Sequence, residues 1–236
     1  MADGDFGIES LAEYLHLNPE QVARLAERGK LPGRQVGGQW RFSRPDIVIW
    51  LEERIGLSDD AELATMEHFL RRPTPADPDR PHTLAEMLPP EAIAIPLLAR
   101  TRSSVISSMA ELAAQTGWLW DPQRLAEAIR EREEMNPTAL ESGVALLHPR
   151  RPQSKILGQS FLALGITQQG IPFGGARGSL TDVFFLVCSL DDRGHLRTLA
   201  RLSRILSQPN FLPALRGAAD VTAARDLIAA AEAKVD

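Results

Sequence analysis

Residues 71–81, Arg71-Arg-Pro-Thr-Pro-Ala-Asp-Pro-Asp-Arg-Pro81, place four prolines close together. Each proline removes a backbone donor and fixes φ, so this stretch is neither a helix interior nor a central strand, and its polar remainder offers little to bury. It predicts an extended tether over 57–82, with a short helix at Ala61 to Leu70 near its start. The 236 residues then fall into a small leading segment, 1–56, and a larger trailing one, 83–236.

The formal net charge of −5 divides unevenly between these parts. The tether holds three basic and six acidic side chains, whereas 83–236 is balanced at sixteen of each. Inside the leading segment, residues 20–44 carry six cations against Glu20 and Glu27, a local +4. The total therefore does not argue against a nucleic-acid partner, because a patch of one sign can sit inside a chain of the other. A composition of 44% hydrophobic and 24% charged residues excludes disordered and collagen-like classes. The single cysteine, Cys188, ends the apolar run Val183-Phe-Phe-Leu-Val-Cys188 and reads as a buried reduced thiol. No stretch approaches the roughly 20 apolar residues of a membrane span, so a cytoplasmic protein is expected. No repeat of 20 to 50 residues points to a solenoid.

In the leading segment, Ile8, Leu11, Ala12 and Leu15 share one face of a short helix. Asn18-Pro19 breaks that helix and supplies the cap and first residue of a second, Glu20 to Arg28, which Gly29 closes. Arg34-Gln-Val-Gly-Gly-Gln-Trp-Arg-Phe42 predicts a hairpin turning at Gly37-Gly38, and Ser43 precedes a third helix carrying Ile47, Trp50 and Leu51. Two helices in a tight turn followed by a hairpin make a helix-turn-helix with a wing. The order of Leu11-Ala-Glu-Tyr-Leu15, Val22-Ala-Arg-Leu25, Gly29-Lys-Leu-Pro32 and Val36-Gly-Gly-Gln-Trp-Arg-Phe42 resembles the excisionase-type winged helix-turn-helix proteins. That resemblance implies a recognition helix, Pro19 to Arg28, in the major groove of double-stranded DNA. Gln21, Arg24 and Arg28 share its outward face; Gln21 and Arg24 would read base edges, and Lys30, Arg34 and Arg41 would hold phosphates. With so few phosphate contacts a lone copy binds weakly, so a homodimer is the form expected on DNA.

The trailing segment alternates. Ala92 to Leu97, Gly143 to Leu147, Ser160 to Thr167 and Thr181 to Leu190 read as strands, the last as a central one covered on both faces. Ser103 to Thr116, Pro122 to Glu134, His195 to Ser207, Phe211 to Leu215 and Ala223 to Ala233 read as helices, the second opening on Asp121-Pro122. The predicted class is α/β: a three-layer sandwich on a mixed sheet, preceded by the small winged helix-turn-helix domain.

Within that segment, Arg132-Glu-Glu-Met-Asn-Pro-Thr-Ala-Leu-Glu-Ser-Gly-Val-Ala-Leu-Leu-His148 resembles the phosphorylation-site motif of type-2 enzyme IIA domains, the fructose, mannitol and nitrogen-regulatory class of the bacterial phosphoenolpyruvate-dependent phosphotransferase system. The similarity continues through Gly170-Ile-Pro-Phe-Gly174, Thr181 to Val187 and His195 to Leu202. The resemblance implies that His148 accepts phosphate from an HPr-type phosphocarrier, that Arg132 clamps the phosphoryl group, and that His195 hydrogen-bonds it or its acceptor ring. Thr138 falls at the family's threonine position between helix and strand. Leu147 and Pro149 depart from the family's proline and small residue on either side of the histidine, and Pro149 removes a backbone N–H beside the phosphate position. Transfer between imidazoles needs an in-line nucleophile and donors on the equatorial oxygens. It calls for no metal and no organic cofactor, and neither a P-loop nor a cluster of metal ligands is present in the sequence.

Three readings follow. The leading one is a cytoplasmic bacterial regulator that couples phosphorylation of His148 to DNA binding and transcription. The others are a phosphocarrier that passes its phosphate to a separate IIB protein, and a IIA domain that only docks on proteins.

Overall fold

A computed structural model describes residues 5–15, 17–57, 63–64 and 83–235. The expected tether, and the helix expected at Ala61 to Leu70, lie outside the described residues apart from Leu57, Leu63 and Ala64. The chain divides into two compact units, Met1–Ser58 and Asp59–Asp236.

The first unit is built from β1 (Asp5–Phe6), α1 (Ile8–Leu15), α2 (Pro19–Glu27), β2 (Arg34–Val36), β3 (Gln39–Ser43) and α3 (Arg44–Leu57). Asn18 caps α2 through a reciprocal box: its side chain accepts from the Gln21 amide at 2.8 Å, and Gln21 Oε1 accepts from the Asn18 amide at 3.1 Å. β2 and β3 form the wing, and both turn residues, Gly37 (φ 59°) and Gly38 (φ 77°), adopt the positive φ that a twisted two-residue hairpin demands. β1 adds to the other edge of β3, giving an antiparallel sheet of order β1-β3-β2. Leu11, Val22, Phe42 and Ile47 are fully buried where helices meet sheet. The guanidinium of half-buried Arg44 lies 4.6 Å from the Phe6 ring centre, so its charge covers an aromatic face.

The second unit contains α4 (Leu84–Met87), β4 (Ile93–Ala94), α5 (Arg102–Ala114), α6 (Pro122–Met135), β5 (Val144–Leu147), β6 (Phe161–Pro172), β7 (Leu180–Cys188), α7 (Asp192–Leu206), α8 (Phe211–Arg216) and α9 (Val221–Glu232). Its sheet has the order β4-β6-β7-β5; β6 and β7 run antiparallel, while the β4–β6 and β5–β7 pairs are parallel. The apolar run Val183 to Cys188 is buried throughout, as a strand with neighbours on both edges and cover on both faces must be. On one face, Ala145, Leu147, Phe161, Ala163, Phe184 and Leu186 pack against Val105, Met109, Leu125 and Ile129 of α5 and α6. A Cβ on Gly165 would lie 2.6 Å from Met109 Sδ and 2.7 Å from Leu97 Cδ2, which is why this strand position carries no side chain. The C-terminal helices are held by a buried ion pair, Arg201 Nε to Glu232 Oε1 at 2.7 Å. The Glu232 carboxylate also accepts from the Leu84 amide at 2.8 and 2.9 Å, capping α4 from a residue far along the chain.

Candidate active site and nucleic-acid interface

The first candidate site lies where the parallel strands β5 and β7 end. In open α/β sheets this is where side chains from successive loops converge, because each loop leaves a carboxyl end before its helix or turn begins. β5 stops at Leu147 because His148 precedes Pro149: the residue before proline is driven to extended geometry, and proline cannot donate to a ladder. β7 stops at Cys188, and Asp191 caps α7 by accepting from the Gly194 amide at 2.8 Å, which sets His195 in the first turn of that helix.

These two loop ends bring the imidazoles together. The ring centres of His148 and His195 are 4.9 Å apart and tilted by 57°, and both side chains are buried. His148 Nδ1 lies 2.7 Å from the Leu146 carbonyl oxygen. A carbonyl can only accept, so Nδ1 carries the hydrogen, and in the neutral ring Nε2 keeps its lone pair. Ser189 Oγ stands 3.5 Å from His195 Nδ1.

Arg132 lies in the last turn of α6, buried, and its Nη1 donates to the Asn136 carbonyl at 2.7 Å. A cation there also suits the negative end of the helix dipole. From Asn136 the chain turns back along β5: Leu140 donates to the Val144 carbonyl at 2.7 Å, Ala139 bridges Ala145, and Leu146 donates to the Thr138 carbonyl at 3.4 Å. Thr138 binds the Glu133 carboxylate through both its amide, at 3.2 Å, and its hydroxyl. Glu133, only 1% exposed, also receives Arg102 Nη2 at 3.0 Å, and that guanidinium lies 5.4 Å from the Phe173 ring centre. Of the four residues expected from the sequence, His148 and His195 meet ring to ring, Arg132 lies at the end of α6 and Thr138 is held by Glu133; Glu133, Arg102 and Ser189 were not among the expected residues. The signal for Glu133 was faint: an acid one residue from Arg132 reads as a solvated surface charge until the fold buries it.

The second candidate site is on the first unit. Gln21, Arg24 and Arg28 line one shallow groove of about 260 Å³ with Leu17 and Leu25, so the spacing of three and four does gather them on one face. All three are exposed, as are Lys30, Arg34 and Arg41. Their partners are slight: Arg24 Nε donates to the Glu20 carbonyl at 3.3 Å, Arg34 pairs with Asp5 at 3.3 Å, and Arg41 donates to Gln39 Oε1 at 3.1 Å. Gln21 differs, because its amide oxygen is engaged in the α2 capping box.

Comparison with known proteins places both units. Residues 86–231, more than half of the chain, match the family described as phosphoenolpyruvate-dependent sugar phosphotransferase system, EIIA 2. The chain belongs to this EIIA 2 family. Residues 6–55 match the helix-turn-helix domain model, of the excisionase type. A nitrogen regulatory protein from Bradyrhizobium diazoefficiens is 28% identical over 149 residues, covering 62% of this chain and 94% of that protein. The fructose-specific EIIABC component of Bacillus subtilis is 24% identical over 147 residues, which span 61% of this chain but 23% of that longer protein. Among solved structures, nitrogen regulatory protein IIA-Ntr from Neisseria meningitidis superposes with a TM-score of 0.54 at 21% identity, over 61% of this chain and 97% of that one. IIA mannitol from Escherichia coli gives a TM-score of 0.53 at 18% identity, over 58% of this chain and 96% of that one. The mixed sheet of the second unit is thus the EIIA fold, joined in this chain to a helix-turn-helix domain. Among the described residues no helix is long and apolar enough to cross a membrane.

Proposed function

We propose that the protein is a cytoplasmic bacterial regulator in which an EIIA domain accepts a phosphoryl group on His148 from an HPr-type phosphocarrier, while the helix-turn-helix domain binds double-stranded DNA, so that phosphorylation state governs transcription. In this reading the DNA-binding domain occupies 1–56, a tether 57–82 and the phosphate-accepting domain 83–236. The observation that carries the reading is the 2.7 Å contact between His148 Nδ1 and the Leu146 carbonyl oxygen. With Nδ1–H held by the Leu146 carbonyl, the Nε2 lone pair is the nucleophile.

The step balances without a cofactor. The Nε2 lone pair forms the new N–P bond as the donor's N–P bond breaks, and the departing pair stays on the donor imidazole. The hydrogen on His148 Nδ1 does not move, and positive charge arising on the ring is stabilised by the Leu146 carbonyl. Arg132 and His195 contribute hydrogen bonds to the phosphoryl oxygens. Because Pro149 has no N–H, these side chains carry oxygen binding that a backbone amide would otherwise share. Phosphate adds about −1.5 to −2 charges, enough to alter a docking contact.

On the DNA side, Arg24 reads base edges and Arg28, Lys30, Arg34 and Arg41 meet phosphates, in a homodimer. Gln21 contributes a base contact only through its amide nitrogen while its oxygen stays in the capping box.

A second reading is favoured by one relative: a solved complex joins enzyme IIA-mannitol to phosphorylated enzyme IIB-mannitol of Escherichia coli. In that case His148 would relay phosphate to a separate IIB protein. Incubation with phosphoenolpyruvate, enzyme I and HPr separates the alternatives. Acid-labile phosphate on the wild type and none on His148→Ala supports acceptance. No label on the wild type, or equal label on the variant, defeats it, and onward passage of label to a IIB cysteine moves the role from regulator to carrier.

A further inference from the structure

Thr138 raises a problem of hydrogen-bond counting. A threonine hydroxyl has one hydrogen to give, and phosphoryl oxygens only accept. In this protein the Thr138 hydroxyl and amide both donate to the Glu133 carboxylate, so neither is directed to a phosphate. Glu133 cannot release them cheaply. It is a buried carboxylate whose bonded partners are Arg102 Nη2, at 3.0 Å, and Thr138, and removing one would leave charge poorly satisfied away from water.

We propose that Glu133 and Thr138 are positioning residues for the phosphoryl acceptor: the Arg102–Glu133–Thr138 network sets the register of residues 136–140 along β5 and thereby places both the Arg132 guanidinium and the His148 ring. The proposal rests on His148 being the acceptor. The chain of contacts is short. Glu133 fixes Thr138; the Thr138 carbonyl accepts from the Leu146 amide at 3.4 Å; and the carbonyl of that same Leu146 holds His148 Nδ1 at 2.7 Å. In the other direction, two residues before Thr138, the Asn136 carbonyl takes Arg132 Nη1 at 2.7 Å. One anchor thus serves the nucleophile and its clamp together. Arg102, on the first turn of α5 and against the Phe173 ring, ties that anchor to the helix layer. Glu133 touches neither His148 nor, by this account, the phosphate.

The test uses the full chain and phosphorylated HPr as donor. Thr138→Val and Glu133→Gln should each lower kcat for phosphoryl acceptance by about 10²-fold, the scale of a one-ångström misplacement, with KM for the donor unchanged. Thr138→Ser, which keeps the hydroxyl, should restore the rate. The double variant Glu133→Gln/Thr138→Val should be no slower than the slower single one, because both changes disrupt the same Arg102–Glu133–Thr138 network. A wild-type rate for Glu133→Gln beside a slow Thr138→Val would assign the hydroxyl to the phosphate directly and overturn the proposal, as would multiplicative losses in the double variant. Amide hydrogen exchange gives an arm independent of phosphate: Leu146 and Leu140 should exchange faster in Thr138→Val while Phe184 and Phe185 in β7 do not change. Unaltered exchange at Leu146 overturns the positioning claim. If wild-type protein takes no phosphate, the acceptor assignment fails, and the exchange result alone decides whether Glu133 sets the loop.

Discussion

The two candidate sites differ in how they hold their cations. On the helix-turn-helix unit, Arg24, Arg28, Lys30, Arg34 and Arg41 are exposed, and the contacts of Arg24, Arg34 and Arg41 are single ones of 3.1 to 3.3 Å. On the EIIA unit, Arg132 is buried and tied to a carbonyl at 2.7 Å, and the acid beside it is buried and several times bonded. A surface that meets a long polyanion gains affinity from charge count and tolerates mobile side chains. A site that transfers one phosphoryl group between two ring nitrogens depends on placement, and placement needs burial and a satisfied network. The contrast teaches that substitutions should act on the first site additively and modestly, and on the second steeply and together.

That comparison can be broken from the steep end first. Arg132→Lys keeps the charge but loses the planar fork, and phosphorylation of His148 by phospho-HPr should slow by about 10² to 10³-fold, the usual cost of removing one preorganised donor. A loss below tenfold would mean that Arg132 serves the fold and not the phosphoryl group. On the shallow side, Arg24→Ala should weaken duplex binding by about 1 to 3 kcal/mol and relax sequence preference, whereas Lys30→Ala should weaken all sequences alike and reduce the salt slope by about 1. Titrations of fluorescent duplex at several salt concentrations would register both. Indifference to all of these changes would make the unit a protein-docking module.

Smaller effects test the packing around the sites. Gly165→Ala puts a methyl group against Met109 and Leu97 and should destabilise the EIIA unit by about 1 to 3 kcal/mol in urea titration. Asn18→Ala removes the α2 cap and should cost about 1 kcal/mol, confined to the first unit. Cys188 is fully buried, and desolvation pushes its thiol far up; iodoacetamide should label it only after unfolding, so native-state labelling would contradict the burial.

Legibility in the sequence followed the range of the interactions involved. The caps of α2 and α6 were readable because Asn18-Pro19 and Asp121-Pro122 act within three residues of themselves. The interior strand β7 was readable because only double cover permits six apolar residues in a row. The extent of β6 was less so. The predicted strand ends at Thr167, but the observed one runs to Pro172 through an irregular stretch after Ile166, where Gln168, Gln169 and Gly170 are exposed and no alternation marks a strand. The strand at Ala92 to Leu97 shrank to Ile93–Ala94, with Pro96 following close behind. In the candidate site, Arg132, Thr138, His148 and His195 stood out through the family motif. Their supports did not, since Arg102 and Glu133 meet only after two helices pack. Gln21 has a local role besides its outward face, since its amide oxygen closes the α2 capping box.

In the proposed function His148 Nε2 receives the phosphoryl group because Nδ1–H is held by the Leu146 carbonyl. Phosphorus NMR of the full chain after incubation with phosphoenolpyruvate, enzyme I and HPr tests it most directly. One phosphohistidine is expected, bonded at Nε2 and absent from His148→Ala; phosphate on Nδ1, on another residue, or on none would rule this assignment out.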